Sequence, residues 1–475
     1  MSNYTALKIC TLFFLFFSIS LFAGDMQLQT PELGFTEDGS EGDYNVVVVM
    51  VNNLNQDRME CYGHNRVTTP NICDFMDENV KYTNAVSQSV WTIPSTVSFF
   101  LSQYPETHGV RSQREKISEK ATTLTEVFSE SGYSTAGFVG NRRCGGGHLK
   151  KRYGYDQGFD TYHQQGPWMN TSVPRAINWL DSKEEDDRYF MFVHGYDPHA
   201  PYGDATTDAS FGENYTGTLR KYDIAWGSGD GEILDDLRYR NGKHYLELEN
   251  QTVELGEEDL DYIRSMYDRD VSAADQQVGR LLDYLKKEGE MDETVVVVTS
   301  NHGEMLGEYG KGRMRWTHSF PYQGVINVPL GVHIPGQEPD TVRSPVELID
   351  IFPTLLSTAE LEMDTNQEVQ GKILPPIGKK KEFGFTSGEI GGDVAVQRDN
   401  YSMIQTNHNL YRESKVFFRL GEGAEKPVRV NQSEVNRSNK FMDSVIEWRN
   451  RNRQISESDT QLNHTLQEYL RENCR

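Results

Sequence analysis

Two short runs, Val46–Val51 (VVVVMV) and Thr294–Thr299 (TVVVVT), constrain this chain more than any other feature. Both are almost uninterrupted in β-branched residues, so neither can lie with one face in water as an alternating strand does. They read as strands buried on both faces of a parallel sheet, and such a sheet needs helices on each side to cover it. The rest of the chain supplies them. Thr123 and Glu126 form a capping box before Leu124, Val127 and Phe128, Gly132 supplies the stop, and Ser134–Val139 follows as a strand. Tyr189–Val193 is a further apolar strand. Leu260, Ile263, Tyr267, Val271, Ala274, Val278, Leu281 and Leu285 recur at helical spacing before Gly289 ends the helix. The predicted class is α/β with a mostly parallel central sheet.

The flanks differ in character. Residues 1–24 hold Lys8 and an apolar run from Ile9 to Ala23, which has the length of a signal-peptide core or an N-terminal anchor and falls short of a full span. Residues 25–43 are polar and read as a linker. The main domain is expected over 44–382, with a polar, aromatic-spotted insertion at Gly203–Gly256. From residue 383 to 475 the pattern shifts to short strands, Val394–Gln397, Tyr401–Gln405 and Val416–Arg419, then to a charged helical tail from about Ser433. A net charge of −24 without any basic stripe argues against a nucleic-acid partner, and the leader is the only segment suited to a membrane. Acceptor triplets at Asn170, Asn214, Asn250, Asn431, Asn436 and Asn463 fit an exported glycoprotein. Cys61, Cys73, Cys144 and Cys474 allow three pairings and lack the spacing of a zinc site; Cys61 reads as a packing residue.

Four distant segments carry the chemistry: Asn45–Gly63, Trp91–Thr96 (WTIPST), Asp197–Tyr202 (DPHAPY) and Thr299–Gly310 (TSNHGEMLGEYG). Together with Tyr104–Gly109 and Leu348–Leu355 they resemble the sulfatase family of the alkaline phosphatase superfamily, over roughly Asn45 to Leu356. The resemblance implies an alkaline-phosphatase-like sandwich with a small C-terminal antiparallel subdomain. It implies a sulfuric ester hydrolase, with Thr92 at the nucleophile position and His199 and His318 facing the ester. It also implies a divalent metal, calcium foremost, at Asn52, Asn53, Asn301 and His302.

Here the chain departs from its family's pattern. The metal positions usually carry Asp, and here they are Asn52, Asn53 and Asn301, which offer neutral oxygens to a cation whose affinity follows the number of charged ligands. Thr92 is not a substrate for the oxidation that converts Cys or Ser to formylglycine, so it would attack directly. Thr96 stands where the motif has Arg. Asp197 reads as an orienting group, and Glu304 as a substitute carboxylate only if its loop bends unusually. The expected partner is a sulfated or phosphorylated small molecule or glycan. The alternatives are a silent binding protein for such glycans, or a phosphodiesterase or phosphotransferase using Thr92.

Overall fold

The computed structural model describes residues 44–141, 148–184, 187–200, 202–203, 209–219, 237–240, 243–248, 251–307, 320–363, 367–388, 394–398, 401–405, 415–419 and 426–427, with a few isolated positions besides. The leader, linker and C-terminal tail expected from the sequence lie outside these residues, apart from isolated positions in the tail. Among the described residues, seventeen strands run in chain order. β1 (Asn45–Val51), β2 (Val80–Val86), β3 (Ser134–Val139), β4 (Thr161–Gln164), β5 (Tyr189–Gly195), β9 (Thr294–Thr299), β10 (Asn327–His333), β11 (Asp340–Val342) and β12 (Val346–Glu347) form the large sheet. Its order is β11-β2-β10-β9-β1-β5-β3-β4, with β12 also paired to β2. Only β10 runs against its neighbours. The sheet is therefore mixed but mostly parallel, as the apolar runs require.

β1 sits inside this sheet between β9 and β5, and its side chains feed both faces. Val47, Val49 and Val51 join one core with α1 (Pro70–Asp77) and the long helix Glu257–Glu288. Val46, Val48 and Met50 join the other with α2 (Thr92–Leu101) and the helix Ile351–Thr358. All seven residues of β1 are buried. At roughly 1.5–3 kcal/mol for each fully buried Val or Met, this strand is among the largest single contributors to the core.

Two further sheets complete the fold. β6 (Leu237–Arg240), β7 (Lys243–Leu248) and β8 (Gln251–Leu255) form an antiparallel sheet. It lies within the Gly203–Gly256 segment read as an insertion. Leu246, Val253 and Leu255 join the core of the large helix, and that tertiary burial is what a short, weakly periodic pattern could not reveal. β13 (Gly384–Ser387), β14 (Val394–Arg398), β15 (Tyr401–Gln405), β16 (Lys415–Arg419) and β17 (Lys426–Pro427) form an antiparallel sheet joined to the first by a bridge between Ser89 and Ser387.

The reading of Cys61 as a packing residue is corrected. Cys61 and Cys73 form a disulfide with Cα atoms 5.5 Å apart. Glu60 draws the two segments together by accepting from the backbone N–H groups of Thr68 (3.0 Å) and Thr69 (2.9 Å), just before α1 begins. Cys144 and Cys474 lie outside the described residues.

Candidate active site

The site forms where β1 and β9 end side by side. Asn52 and Asn53 follow β1, and Ser300, Asn301 and His302 follow β9, so two neighbouring parallel strands deliver all of them to one edge of the sheet. Asn53 adopts a left-handed backbone (φ 59°), a conformation that Asn tolerates far better than a branched residue. Tyr267 of the long helix holds that turn. Its hydroxyl donates to the Asn53 carbonyl (2.6 Å) and accepts from the Asn55 N–H (2.8 Å). Ser300 braces the other strand end, donating to the His302 carbonyl (2.6 Å) and accepting from the Leu54 N–H (3.1 Å).

Thr92 is the first residue of α2, with Trp91 extended before it. Its hydroxyl lies 3.0 Å from Asn52 Oδ1 and 3.2 Å from His302 Nε2. His302 Nδ1 is 2.8 Å from the Gly303 carbonyl, an oxygen that can only accept, so in the neutral ring the proton sits on Nδ1 and Nε2 presents a lone pair to Thr92. The structure thus gathers five of the seven residues picked out from the sequence: Thr92, Asn52, Asn53, Asn301 and His302. All five are buried.

His199 lies in the loop after β5, with Nδ1 2.7 Å from the Ala200 carbonyl and its ring edge-on to Tyr196. Tyr196 in turn accepts from the His148 N–H (2.9 Å), and the His148 ring meets Trp91 edge-on. These contacts link His199 to the residue preceding Thr92. His318 lies outside the described residues. Sequence reasoning passed over His148, whose only signal was a histidine in a glycine-rich run after β3, and His194, whose apolar strand setting masked it. Burial pushes the His194 ring down to about 3, so it is neutral at physiological pH.

Glu304 was expected to reach the site only through an unusual bend; its carboxyl lies beside Asn53. Gly303 passes so close to the Gly324 carbonyl that any Cβ there would collide with it, and its N–H donates to the Val325 carbonyl (2.7 Å). The turn brings Glu304 Oε2 within 2.7 Å of Asn53 Nδ2. Burial pushes the Glu304 carboxyl up to about 8, against the pull of hydrogen bonding from Asn53 and the Met305 N–H. Asp197 is likewise buried and raised to about 7 by desolvation, although its Oδ2 accepts from the Met169 N–H (2.8 Å) at the start of the helix Met169–Leu180. That contact ties the loop to the helix. Thr96, at the position of the motif's Arg, is buried with no partner for its hydroxyl.

A mostly parallel sheet that presents a helix-terminal hydroxyl to polar side chains at its strand ends defines an ester-hydrolase layout of the alkaline phosphatase type. The sulfatase family model matches residues 44–361, and the chain belongs to the sulfatase family. It is similar to the N-acetylglucosamine-6-O-sulfatase of Bacteroides thetaiotaomicron, 23% identical over 399 residues that cover 70% of each chain. Among solved structures it resembles a 2-O GAG sulfatase, with a TM-score of 0.64, 17% identity and coverage of 86% of this chain and 92% of that one. It also resembles the phosphonate monoester hydrolase of Agrobacterium radiobacter, with a TM-score of 0.61, 18% identity and coverage of 86% and 96%.

Sulfatases typically bind a divalent metal. The donor set here does not fit a tightly held one. Asn52 Oδ1 already accepts from Asn301 Nδ2 (2.6 Å), and Asn301 Oδ1 accepts from the N–H groups of His302 (2.9 Å) and Asn53 (3.3 Å). Asn53 Oδ1 accepts from Asn52 Nδ2. Among the described residues, Glu304 is the carboxyl hydrogen-bonded to these asparagines, and burial pushes it up to about 8. Among the described residues, no group of three or more His, Cys, Asp or Glu side chains could hold a metal ion.

Proposed function

We propose that this chain is an exported hydrolase of sulfate esters carried on small molecules or glycans, with Thr92 as its nucleophile and His302 as the base that serves it. The observation that carries this reading is the Thr92 hydroxyl at a helix N-terminus, 3.2 Å from an imidazole nitrogen whose tautomer is set by the Gly303 carbonyl. In the proposed step Thr92 Oγ bonds to sulfur while the proton passes to His302 Nε2. The ester oxygen departs with the bonding pair and takes up a proton from solvent or from His199 or His318. Water then hydrolyses the threonine sulfate. The positive end of the α2 dipole favours the developing negative charge.

A glycan sulfate ester is the class suggested by the names of similar proteins, among them the N-acetylglucosamine-6-O-sulfatase and a protein solved with D-glucosamine-2-N,6-O-disulfate. The likeness to phosphonate monoester hydrolases keeps a phosphoryl substrate as the competing choice. Calcium is the cation that the resemblance implies; the neutral, hydrogen-bonded asparagine oxygens favour a site that works without one. The Cys61–Cys73 disulfide and the exposed acceptor residues Asn170, Asn214 and Asn436 support export. The silent, glycan-binding reading is favoured by the saturated asparagine oxygens. Turnover of an aryl sulfate, an aryl phosphate and a phosphodiester by the full chain separates these readings. Sulfate release that Thr92→Ala abolishes supports the proposal; release that survives Thr92→Ala removes the nucleophile, and binding without release favours the silent protein.

A further inference from the structure

We infer that the three asparagines form a directional hydrogen-bond circuit that takes the place of the family's cation, so that the site is assembled without metal. This inference does not depend on turnover or on the identity of the ester.

The orientation of the circuit follows from its backbone anchors. The N–H groups of His302 (2.9 Å) and Asn53 (3.3 Å) can only donate, so the Asn301 atom facing both must be Oδ1. Its Nδ2 is thereby turned toward Asn52, which must present Oδ1 to receive it (2.6 Å). Asn52 Nδ2 then faces Asn53 and donates to Oδ1. Asn53 Nδ2 is left to donate to Glu304 Oε2 (2.7 Å), where the circuit ends on an acceptor. Each amide settles the next, and no flip of one is possible without setting two acceptors or two donors against each other.

Two consequences distinguish this arrangement from a metal cage with weakened ligands. Asn301 Oδ1 accepts from two backbone N–H groups and Asn52 Oδ1 accepts from the Asn301 amide, so a cation could enter only by displacing N–H donors, two of them on buried backbone. The positive partial charge that a cation would bring is supplied by amide protons fixed to the chain. Aligned hydrogen bonds of this kind polarise one another, so the circuit stiffens the strand ends much as an ion would. Restoring an Asp at either position would then remove a donor and place an anion against an acceptor.

The test uses the full chain, extensively dialysed against chelator. Elemental analysis should find no stoichiometric divalent metal. The thermal midpoint should agree within about 1 °C between chelator and calcium or manganese at about 1 mM, the range in which weak sites fill. Asn52→Asp should lower the midpoint in chelator by several degrees and regain part of that loss on addition of calcium. An ion retained through dialysis, or a wild-type midpoint that climbs with calcium, overturns the inference, and both readouts stand even if Asn52→Asp fails to fold. Because neither readout involves hydrolysis, failure here leaves the Thr92 proposal intact, and an inactive Thr92 leaves this one intact.

Discussion

Glu304 in the pocket and Asp350 at the seam between the two main sheets are equally buried, at 2% and 1% exposure, yet their surroundings differ. Asp350 shares Lys381 with Glu347, the ammonium lying 2.5 Å and 2.7 Å from the two carboxylates. Burial raises Asp350, but Lys381 pulls it back to about 6, whereas Glu304 has neutral donors beside it, the Asn53 amide, the Met305 N–H and the Tyr202 hydroxyl, and rises to about 8. Buried acids are kept charged where the cation is part of the chain. At the strand ends, where the cation would have to come from solution, this sequence uses amides instead.

The largest test of that contrast is Lys381→Met, which leaves Glu347 and Asp350 buried without their cation. It should destabilise the protein by about 3–5 kcal/mol in urea unfolding; a small effect would show that the seam does not rely on its fixed cation. Asp197 is the intermediate case, a buried acid held by backbone N–H groups alone and raised from 3.8 to about 7. Between these values the folded state binds more protons than the unfolded state. The Asp197 contribution to stability is therefore fully present below about pH 4 and is lost as pH rises through about 7. Asp197→Asn should remove this decline, so that variant minus wild-type stability grows by up to about 4 kcal/mol across the window. A flat difference would place Asp197 in contact with a cation or water that the contrast omits.

At the pocket, Asn301→Asp in chelator should cost about 1–3 kcal/mol, because it exchanges the amide that donates to Asn52 for a second acceptor. An unchanged or raised unfolding midpoint would break the contrast outright. The smallest effect belongs to Lys286 and Glu78, which lie 2.8 Å apart but about half exposed. Lys286→Ala should change stability by less than about 1 kcal/mol, which shows that burial, not distance, gives a paired charge its weight.

The legible part of this molecule is what repeats along the chain. Valine runs announced β1 and β9 because a strand covered on both faces has no position that tolerates water, and the spacing from Leu260 to Leu285 announced the long helix by the same logic. The sulfatase resemblance, carried by short motifs at strand and helix ends, pointed to Thr92, Asn52, Asn53, Asn301 and His302. β6–β8 were illegible because their apolar residues are few and gain meaning only against the long helix.

From its own order of residues the chain determined the layered α/β fold, the family, and three asparagines at the ends of two strands where the resemblance leads one to expect carboxylates. Tertiary structure decided how those asparagines meet. Asn52 and Asn301 stand 249 positions apart, and only the parallel pairing of β1 with β9 sets one amide against the other. Gly303, next to the Glu304 that meets Asn53, packs against the carbonyl of a separate segment at Gly324. Hydrogen bonds act over about 3 Å, a range that distance along the chain cannot express.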